Sequence, residues 1–347
     1  MTIRWVLLGP GRHATRSVVP QMKRAEGVEL VAVVSRDRAR GEAFARDQGI
    51  PRVYTALDEA LGDRQVDAIY DATPDGLHAD HAIAAAKAGK HVLVEKPLAI
   101  SVAACAKAIS ACRQHGVKLG VVFNQRHEAV HQEARRKVLE GEIGDVKLVH
   151  VQIALGMTTP RATSAGTSWR NDPRMRAGGI VVSIGDHAHD TLAFIAGQRI
   201  DEVSALTDAS KNDPPDERVV GILLKLSGGA IGYAAASYAT SFARRPFEIH
   251  GTKGTLVIEH SYTYLTGASG DPTPTLTLVN ASGSTVQRFA ASECFRLEIE
   301  QFNHAIEGRG EPMTPPEEGL RALAIGDAIY SAVRDRRAAK VAAFMPE

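Results

Sequence analysis

Cysteine is scarce in this chain: Cys105, Cys112 and Cys294 are the three among 347 residues. Three thiols cannot build the disulfide framework of a small secreted scaffold, and no metal-ligand spacing involves them. Cys105 and Cys112 stand seven apart in an alanine-rich helical stretch, which suits core packing. Neither sign of charge is in excess. Lys and Arg total 41 against 40 Asp and Glu, a net charge of +1, so there is no basic field for nucleic acid or an anionic lipid surface. Long apolar runs are missing too, since none approaches the ~20 residues of a membrane span. The short run Trp5-Val6-Leu7-Leu8 leads straight into Gly9-Pro10-Gly11, without the longer apolar core and small-residue cleavage site of a signal peptide. Repeats and low-complexity tracts are absent. A soluble, cytoplasmic protein with no nucleic-acid or membrane partner is expected.

What is present is ordinary globular composition, 44% hydrophobic and 23% charged, in a length that suggests about two domains. Residues 1–123 alternate strand and helix signals: strands at Trp5–Leu8, Leu30–Val34, Val53–Tyr54, Ala68–Asp71, Lys90–Val94 and Val117–Phe123, with helices between them. Two of those helices are expected at Ala79–Ala88, ended by Gly89, and at Val102–Gln114, capped by Ser101. Strands alternating with helices imply right-handed crossovers and a parallel sheet, hence an N-terminal Rossmann-type dinucleotide-binding domain. From residue 124 to 347 the texture changes. Strand runs such as Val146–Ala154, Val219–Leu226, Ala230–Ala235, Phe247–His250 and Thr255–Ile258 are joined in part by Ser227-Gly228-Gly229 and Gly251–Gly254 turns. They predict a C-terminal α/β domain with a large, mostly antiparallel open sheet. One helix near Ser183–Ala196 interrupts the strands, and two closing helices, Arg296–Glu307 and Glu318–Arg336, are free to pack back on the first domain.

Three strand ends in the first domain carry candidate chemistry. Gly9-x-Gly11-x-x-Ala14 follows a strand and opens a helix: Gly9 permits the tight turn, Gly11 lets backbone approach a pyrophosphate, and Ala14 is small enough for helix–strand packing. Arg12 and His13 lie in the same turn, whose helix N-terminus favours phosphate. At the tip of the second strand an NAD enzyme usually has Asp or Glu for the ribose hydroxyls. Here Ser35 stands there, followed by Arg36, Arg38 and Arg40, and guanidinium groups suit a 2′-phosphate. NADP(H) is therefore expected over NAD(H), although Asp37 competes for the same place. Thr73-Pro74-Asp75 ends the next strand, with Pro74 shaping the loop and His78 either in the cleft or on an exposed helix start. The run His91–Val94 ends abruptly in Glu95-Lys96-Pro97, which puts Lys96 at the carboxyl end of a strand, where open α/β sheets bind ligands.

In the second half, Trp169-Arg170 leads to Gly178-Gly179 and then Ser183-Ile184-Gly185-Asp186-His187-Ala188-His189-Asp190. On a helix Ser183, His187 and Asp190 share one stripe. His187 and His189 diverge by ~200°, so they are poorly placed to chelate one ion, and no metal is expected.

Taken together, the glycine turn, Thr73-Pro74 with His78, Gly89-Lys90-His91-Val92 into Glu95-Lys96-Pro97, Trp169-Arg170, the Gly-Gly-to-His187 helix, Glu248-Ile249-His250-Gly251-Thr252-Lys253-Gly254 and Phe302 through Glu317-Glu318-Gly319-Leu320 resemble the glucose–fructose oxidoreductase/inositol dehydrogenase (Gfo/Idh/MocA) family. The resemblance covers nearly the whole chain. It implies a Rossmann domain, a second α/β domain whose open sheet makes contacts in a homodimer or homotetramer, Lys96 as the cleft lysine, and His187 as the acid/base histidine. A cis bond before Pro97 is also implied. Ser35 with Arg40 is most similar to the NADPH-dependent 1,5-anhydro-D-fructose reductases of that family. One departure stands out: Ser183 occupies the place, four residues before the histidine, where many members carry aspartate.

The expected activity is NADP(H)-dependent hydride transfer to or from a sugar, cyclic polyol or related carbonyl or hydroxyl substrate. Lys96 and His187 are the expected catalytic residues, histidine titrating near working pH and lysine stabilising a developing alkoxide. The cofactor would lie against Gly9, Gly11, Arg12, His13, Ser35, Arg36, Arg40, Thr73, Pro74, His78, Glu95, Lys96, Pro97 and Asn124. Substrate contacts would come from Lys96, Arg126, Trp169, Arg170, Ser183 and His187. The departure at Ser183 keeps open an alternative, a non-catalytic NAD(P)-binding sensor on the same fold. A metal enzyme using Asp186 to Asp190 is a third reading.

Overall fold

The computed structural model describes residues 1–155, 169, 172, 174–209, 217–262 and 273–342. The chain divides into two compact units. The first comprises Met1–Asn124, the segment ending at Ala177, and Phe295–Leu320; the second begins at Gln125 and takes in Gly178–Cys294 and the chain from Arg321 onward.

The first unit is built on six parallel strands, β1 (Ile3–Leu8), β2 (Val28–Val34), β3 (Arg52–Tyr54), β4 (Ala68–Asp71), β5 (His91–Glu95) and β6 (Leu119–Val122), in the order β3-β2-β1-β4-β5-β6. The order reverses between β1 and β4, the switch point at which doubly wound sheets bind nucleotides. β4 and β6 are buried along their whole length, as a sheet covered on both faces requires. A π-helical turn at Ala14–Val18 runs into α1 (Val19–Met22), and α2 (Arg38–Gln48), α3 (Leu57–Gly62), α4 (Asp75–Lys87) and α5 (Val102–Gln114) follow. Ser101 caps α5 as expected, its side chain accepting from the Ala104 N–H.

Helix α4 starts four residues earlier than its alanine pattern suggested. Extended Pro74 (φ −62°, ψ 142°) precedes it and Asp75 enters its first turn, so a polar first turn, not the apolar run, sets its start. The consequence is that His78 lies inside the helix and is buried.

In the second unit, α6 (Ala129–Leu139), β7 (Val146–Leu155), α7 (Asp186–Ala196), β8 (Ile200–Thr207), β9 (Val219–Leu226), β10 (Ile231–Ser237), β11 (Ala243–Arg244), β12 (Phe247–Gly251), β13 (Gly254–Glu259), β14 (Thr275–Asn280), β15 (Gly283–Arg288) and β16 (Ala339–Lys340) include ten sheet strands. Their order is β15-β14-β13-β12-β7-β10-β9-β8-β16, with β11 beside β7. The sheet is mostly antiparallel, with the expected β9–β10 and β12–β13 hairpins, but β7 and β10 pair in parallel. β9 alternates strictly, with Val220, Ile222, Leu224 and Leu226 inward. α7 packs over β7 and β10, and α6 lies against α7. The other face of this sheet exposes Leu148, Leu206, Leu223, Ile231 and Tyr233.

Helices α8 (Cys294–Ile306) and α9 (Pro316–Asp335) close the chain. From Phe295 α8 belongs to the first unit: the Trp5 indole donates to Asn303 Oδ1 at 3.1 Å and its ring meets Phe302 at 5.8 Å. Among the described residues no helix is long and apolar enough to cross a membrane.

Candidate active site

The first unit gathers its candidate residues at the carboxyl edge of the parallel sheet. Gly9, at the end of β1, has φ +84°, and a Cβ there would meet the Ala72 carbonyl oxygen at 2.8 Å, so only glycine lets β1 turn against the end of β4. At Gly11 the nearest atom to an added Cβ is 3.9 Å away, which leaves open space over the turn. Ala14, buried, allows the following helix to sit close. The first amides of that helix point out of its N-terminus, as an anion requires. At the tip of β2, buried Ser35 donates its hydroxyl to the Asp37 carbonyl at 2.8 Å. Asp37 itself is the N-cap of α2, one carboxylate oxygen accepting from the Arg40 N–H at 3.0 Å. The Arg40 guanidinium donates to the Pro10 carbonyl at 3.0 Å, which lays it across the glycine turn, and Arg36 is exposed beside it. This cradle fits a dinucleotide.

Two buried networks stand behind the next strand ends. Asp71, fully buried, accepts from the Thr73 N–H (3.0 Å) and hydroxyl (2.6 Å) with one oxygen and bonds His81 Nδ1 at 2.8 Å with the other. His78 Nε2 lies 2.9 Å from the Thr73 carbonyl and Nδ1 lies 2.7 Å from the Pro97 carbonyl. His78 therefore ties backbone to backbone across the loops of Pro74 and Lys96. The Lys96–Pro97 bond is cis. Glu95 accepts from Tyr70 at 2.7 Å and bonds His13 Nε2 at 2.8 Å. Burial acts to raise the Glu95 carboxyl, but the charge and bond of His13, the Tyr70 hydroxyl and Lys96 outweigh it and hold it low. Burial, with Glu95 close by, pushes the Tyr70 hydroxyl well up. Asn124 ends the first stretch of the unit, buried, with no partner for its amide nitrogen among the described residues.

In the second unit a π-helical turn, Val181–Gly185, leads into α7, so the backbone widens just before His187. Such turns concentrate at functional sites. Buried Glu217 holds the start of this turn. Its Oε1 accepts from the Val181 N–H at 3.1 Å and from the Tyr330 hydroxyl at 2.9 Å. His187 is buried, and the Tyr262 hydroxyl donates to its carbonyl at 2.8 Å while lying 3.0 Å from Thr191 Oγ1. Tyr262 takes the left-handed region, φ +60°, and its N–H donates to Glu128 at 3.1 Å, so a strained residue is fixed from both ends. Ser183 shares a 2.9 Å hydrogen bond with Tyr238. Asp190 is forked by Arg126 at 3.0 and 2.5 Å, both side chains buried, with Phe194 5.2 Å beneath the guanidinium. Asp186 bonds His189 at 3.2 Å.

The structure thus brings Gly9 together with Arg40 through Pro10, His13 with Glu95, and Thr73 with His78 and Pro97. Arg126, expected at the substrate, forks Asp190. Trp169 is half-buried, and Arg170 lies outside the described residues. Among the described residues no three His, Cys, Asp or Glu side chains cluster as metal ligands. Tyr70, Glu128, Glu217, Tyr238 and Tyr262 carry this architecture yet had no motif to mark them. Their partners lie 25 to 134 residues away in the chain.

A glycine turn opening a helix at the switch point of a six-stranded parallel sheet defines a dinucleotide-binding protein. A family model described as "Oxidoreductase family, NAD-binding Rossmann fold" matches residues 3–123, and one described as "GFO/IDH/MocA C-terminal domain" matches 131–257. The chain is 32% identical over 341 residues to a 1,5-anhydro-D-fructose reductase of Ensifer adhaerens, covering 97% of this chain and 98% of that one. It is 31% identical to a D-xylose 1-dehydrogenase (NADP(+)) of Haloferax volcanii, over 93% and 95% of the two chains. A solved aldose-aldose oxidoreductase from Caulobacter crescentus, complexed with glycerol, matches with a TM-score of 0.84 and 26% identity, covering 98% of this chain and 100% of that one. The chain belongs to the Gfo/Idh/MocA family and is an NAD(P)-dependent oxidoreductase acting on CH–OH or C=O groups.

Proposed function

We propose that this enzyme is NADP(H)-dependent and acts on a sugar, cyclic polyol or related carbonyl, with Lys96 and His187 as its catalytic pair. The observation that carries the reading is Lys96, set at the end of β5 on the sheet edge that also bears the glycine turn. Lys96 donates a hydrogen bond to the reacting oxygen and stabilises its negative charge. His187 delivers the proton to that oxygen in reduction or removes it in oxidation. A bound nicotinamide supplies the hydride chemistry. Ser183, where many members carry aspartate, bonds Tyr238, and Asp190 is forked by Arg126, so the acid/base role is assigned to His187.

NADP(H) is favoured because no free carboxylate caps the ribose at β2. Ser35 stands there, Asp37 is engaged as a helix cap, and Arg40 lies over the glycine turn. The relatives named for sugars and for NADP(+) support the same reading. The bare sheet face, with Leu223 opposite Tyr233 and Ile231 opposite Leu148, is the contact we assign between copies in a homodimer or homotetramer. Three buried cysteines suit a reducing cytoplasm.

A nicotinamide-absorbance screen of ketoses, lactones, aldoses and inositols with both cofactors tests the reading, and turnover of at least one with NADPH or NADP(+) is expected. Tight NADPH binding without turnover of any of them would favour a sensor, the reading that Ser183 alone supports.

A further inference from the structure

His78 is 1% exposed and sits among acceptors. Both ring nitrogens face carbonyl oxygens, Nδ1 that of Pro97 at 2.7 Å and Nε2 that of Thr73 at 2.9 Å. A carbonyl oxygen can only accept, and a neutral imidazole has only one N–H to give. In either neutral tautomer one nitrogen lone pair would face an oxygen lone pair at hydrogen-bond distance, too close for a water to separate them. Only the imidazolium, with two N–H groups, satisfies both contacts.

We propose that His78 is held as an imidazolium and acts as a positioning residue, clamping the loop of Lys96-Pro97 to the loop of Thr73-Pro74 and so setting where the Lys96 ammonium stands. The inference rests on the proposed role of Lys96, and it moves His78 from the cofactor's contacts to the layer beneath them. The surroundings supply the counter-charge. Asp71 on β4 and Asp75 in the first turn of α4 are the carboxylates facing the ring; His81, also on α4, is bound to Asp71. Asp75 in turn accepts from the Ala177 N–H at 3.2 Å. Burial acts to lower the ring's pKa, and Asp71, Asp75 and the two carbonyl bonds outweigh it and raise it. Buried His131 differs. His131 has one nitrogen on the Gln125 carbonyl at 2.8 Å and no hydrogen-bond partner for the other among the described residues, and burial brings it down to about 4.

The test is histidine NMR on the full-length enzyme, labelled at the imidazole nitrogens, with the His78 signal assigned by its loss in His78→Gln. A doubly protonated ring at pH 7.5 is expected; a neutral tautomer there overturns the proposal. In kinetics His78→Phe removes both donors and is expected to lower kcat by roughly 10²-fold, the scale of a small misplacement of a catalytic group, with the cofactor KM little changed. His78→Gln keeps a donor and should recover part of the loss, and it serves alone if the Phe variant does not fold. A folded variant with wild-type kcat overturns the positioning role, as does a loss confined to cofactor KM. Lys96→Ala assayed alongside separates the two readings. Full turnover there removes Lys96 from the chemistry, and the clamp's catalytic role with it, whereas the charge on His78 is read independently by NMR.

Discussion

The two units expose and bury their sheets in different ways, and their candidate site residues follow suit. The first unit encloses a parallel sheet whose strands β4 and β6 are buried throughout, and its candidate polar side chains gather at the carboxyl ends of β1, β2, β4 and β5. The second unit covers one face of its sheet with α7, and among the described residues the other face exposes Leu148, Leu206, Leu223, Ile231 and Tyr233. Its candidate residues sit on a buried helix and the turn before it instead, and each is held by a partner from elsewhere: Tyr262 on the His187 carbonyl, Tyr238 on Ser183, Arg126 on Asp190. A strand-end site is made by local turns; a helix-borne site is made by the whole unit.

The sharpest test of that contrast takes one residue from each unit. Lys96→Ala and His187→Ala are each expected to lower turnover by roughly 10²–10⁴-fold with cofactor binding retained, as measured by steady-state kinetics and cofactor fluorescence titration. Loss of activity in only one variant would break the symmetry of the pair.

The next effect is on stability and belongs to the second unit alone. Arg126→Ala leaves Asp190 buried without its fork and should cost about 3–5 kcal/mol in chemical denaturation, whereas removing the exposed Arg38 should cost little. A loss under about 1 kcal/mol for Arg126→Ala would mean that Asp190 finds other support.

Acid should separate the units as well. Burial brings His127 and His131 of the second unit from 6.5 to about 4, the nearby Arg126 charge adding to the effect at His127. A folded pKa below the unfolded one means stability present above pH 6.5 and lost as the pH falls toward 4. Each ring is worth on the order of 3 kcal/mol over that window. His78 in the first unit has the opposite sign: its raised pKa contributes below pH 6.5 and is lost as pH rises through the folded value. Hydrogen exchange at pH 7 and pH 4.5 should therefore show protection falling first in α6 and its neighbours. Earlier loss in the first unit would contradict this assignment.

The smallest expected effect concerns cofactor choice. Arg40→Ala should weaken NADPH roughly 10- to 100-fold, the worth of a charge-assisted phosphate contact, with NADH much less affected in parallel titrations. Equal loss for both cofactors would leave Arg40 as a brace for the glycine turn, through its bond to Pro10, and nothing more.

Much of the first unit was legible in the chain. The bounds of α5 follow from Ser101 and the alanine-rich run, and the glycine turn and Glu95-Lys96-Pro97 announce themselves as breaks in apolar strands. The start of α4 was not legible, because its first turn is polar and gives no hydrophobic period. In the second unit β9 could be read from its alternation, but β15, exposed at every residue, has no apolar pattern to read. The parallel pairing of β7 with β10 could not be read either, since the direction of pairing is a relation between segments about 80 residues apart and leaves no mark on either.

By itself the sequence determined where the backbone must turn, cap or break, because those demands are met by a residue and its immediate neighbours: glycine at φ +84° for Gly9, a hydroxyl at Ser101, a ring without N–H at Pro97. It determined, through those turns, that a nucleotide is bound and that Lys96 ends a strand. Only the tertiary structure decided what the polar side chains do once they are buried. Arg126 became the partner of Asp190, Asp37 the cap of α2, and His78 a tie between two carbonyls. The physical reason is that a buried charge or ring nitrogen takes its role from whichever donor or acceptor the fold carries to within 3 Å of it, and that partner can come from any part of the chain.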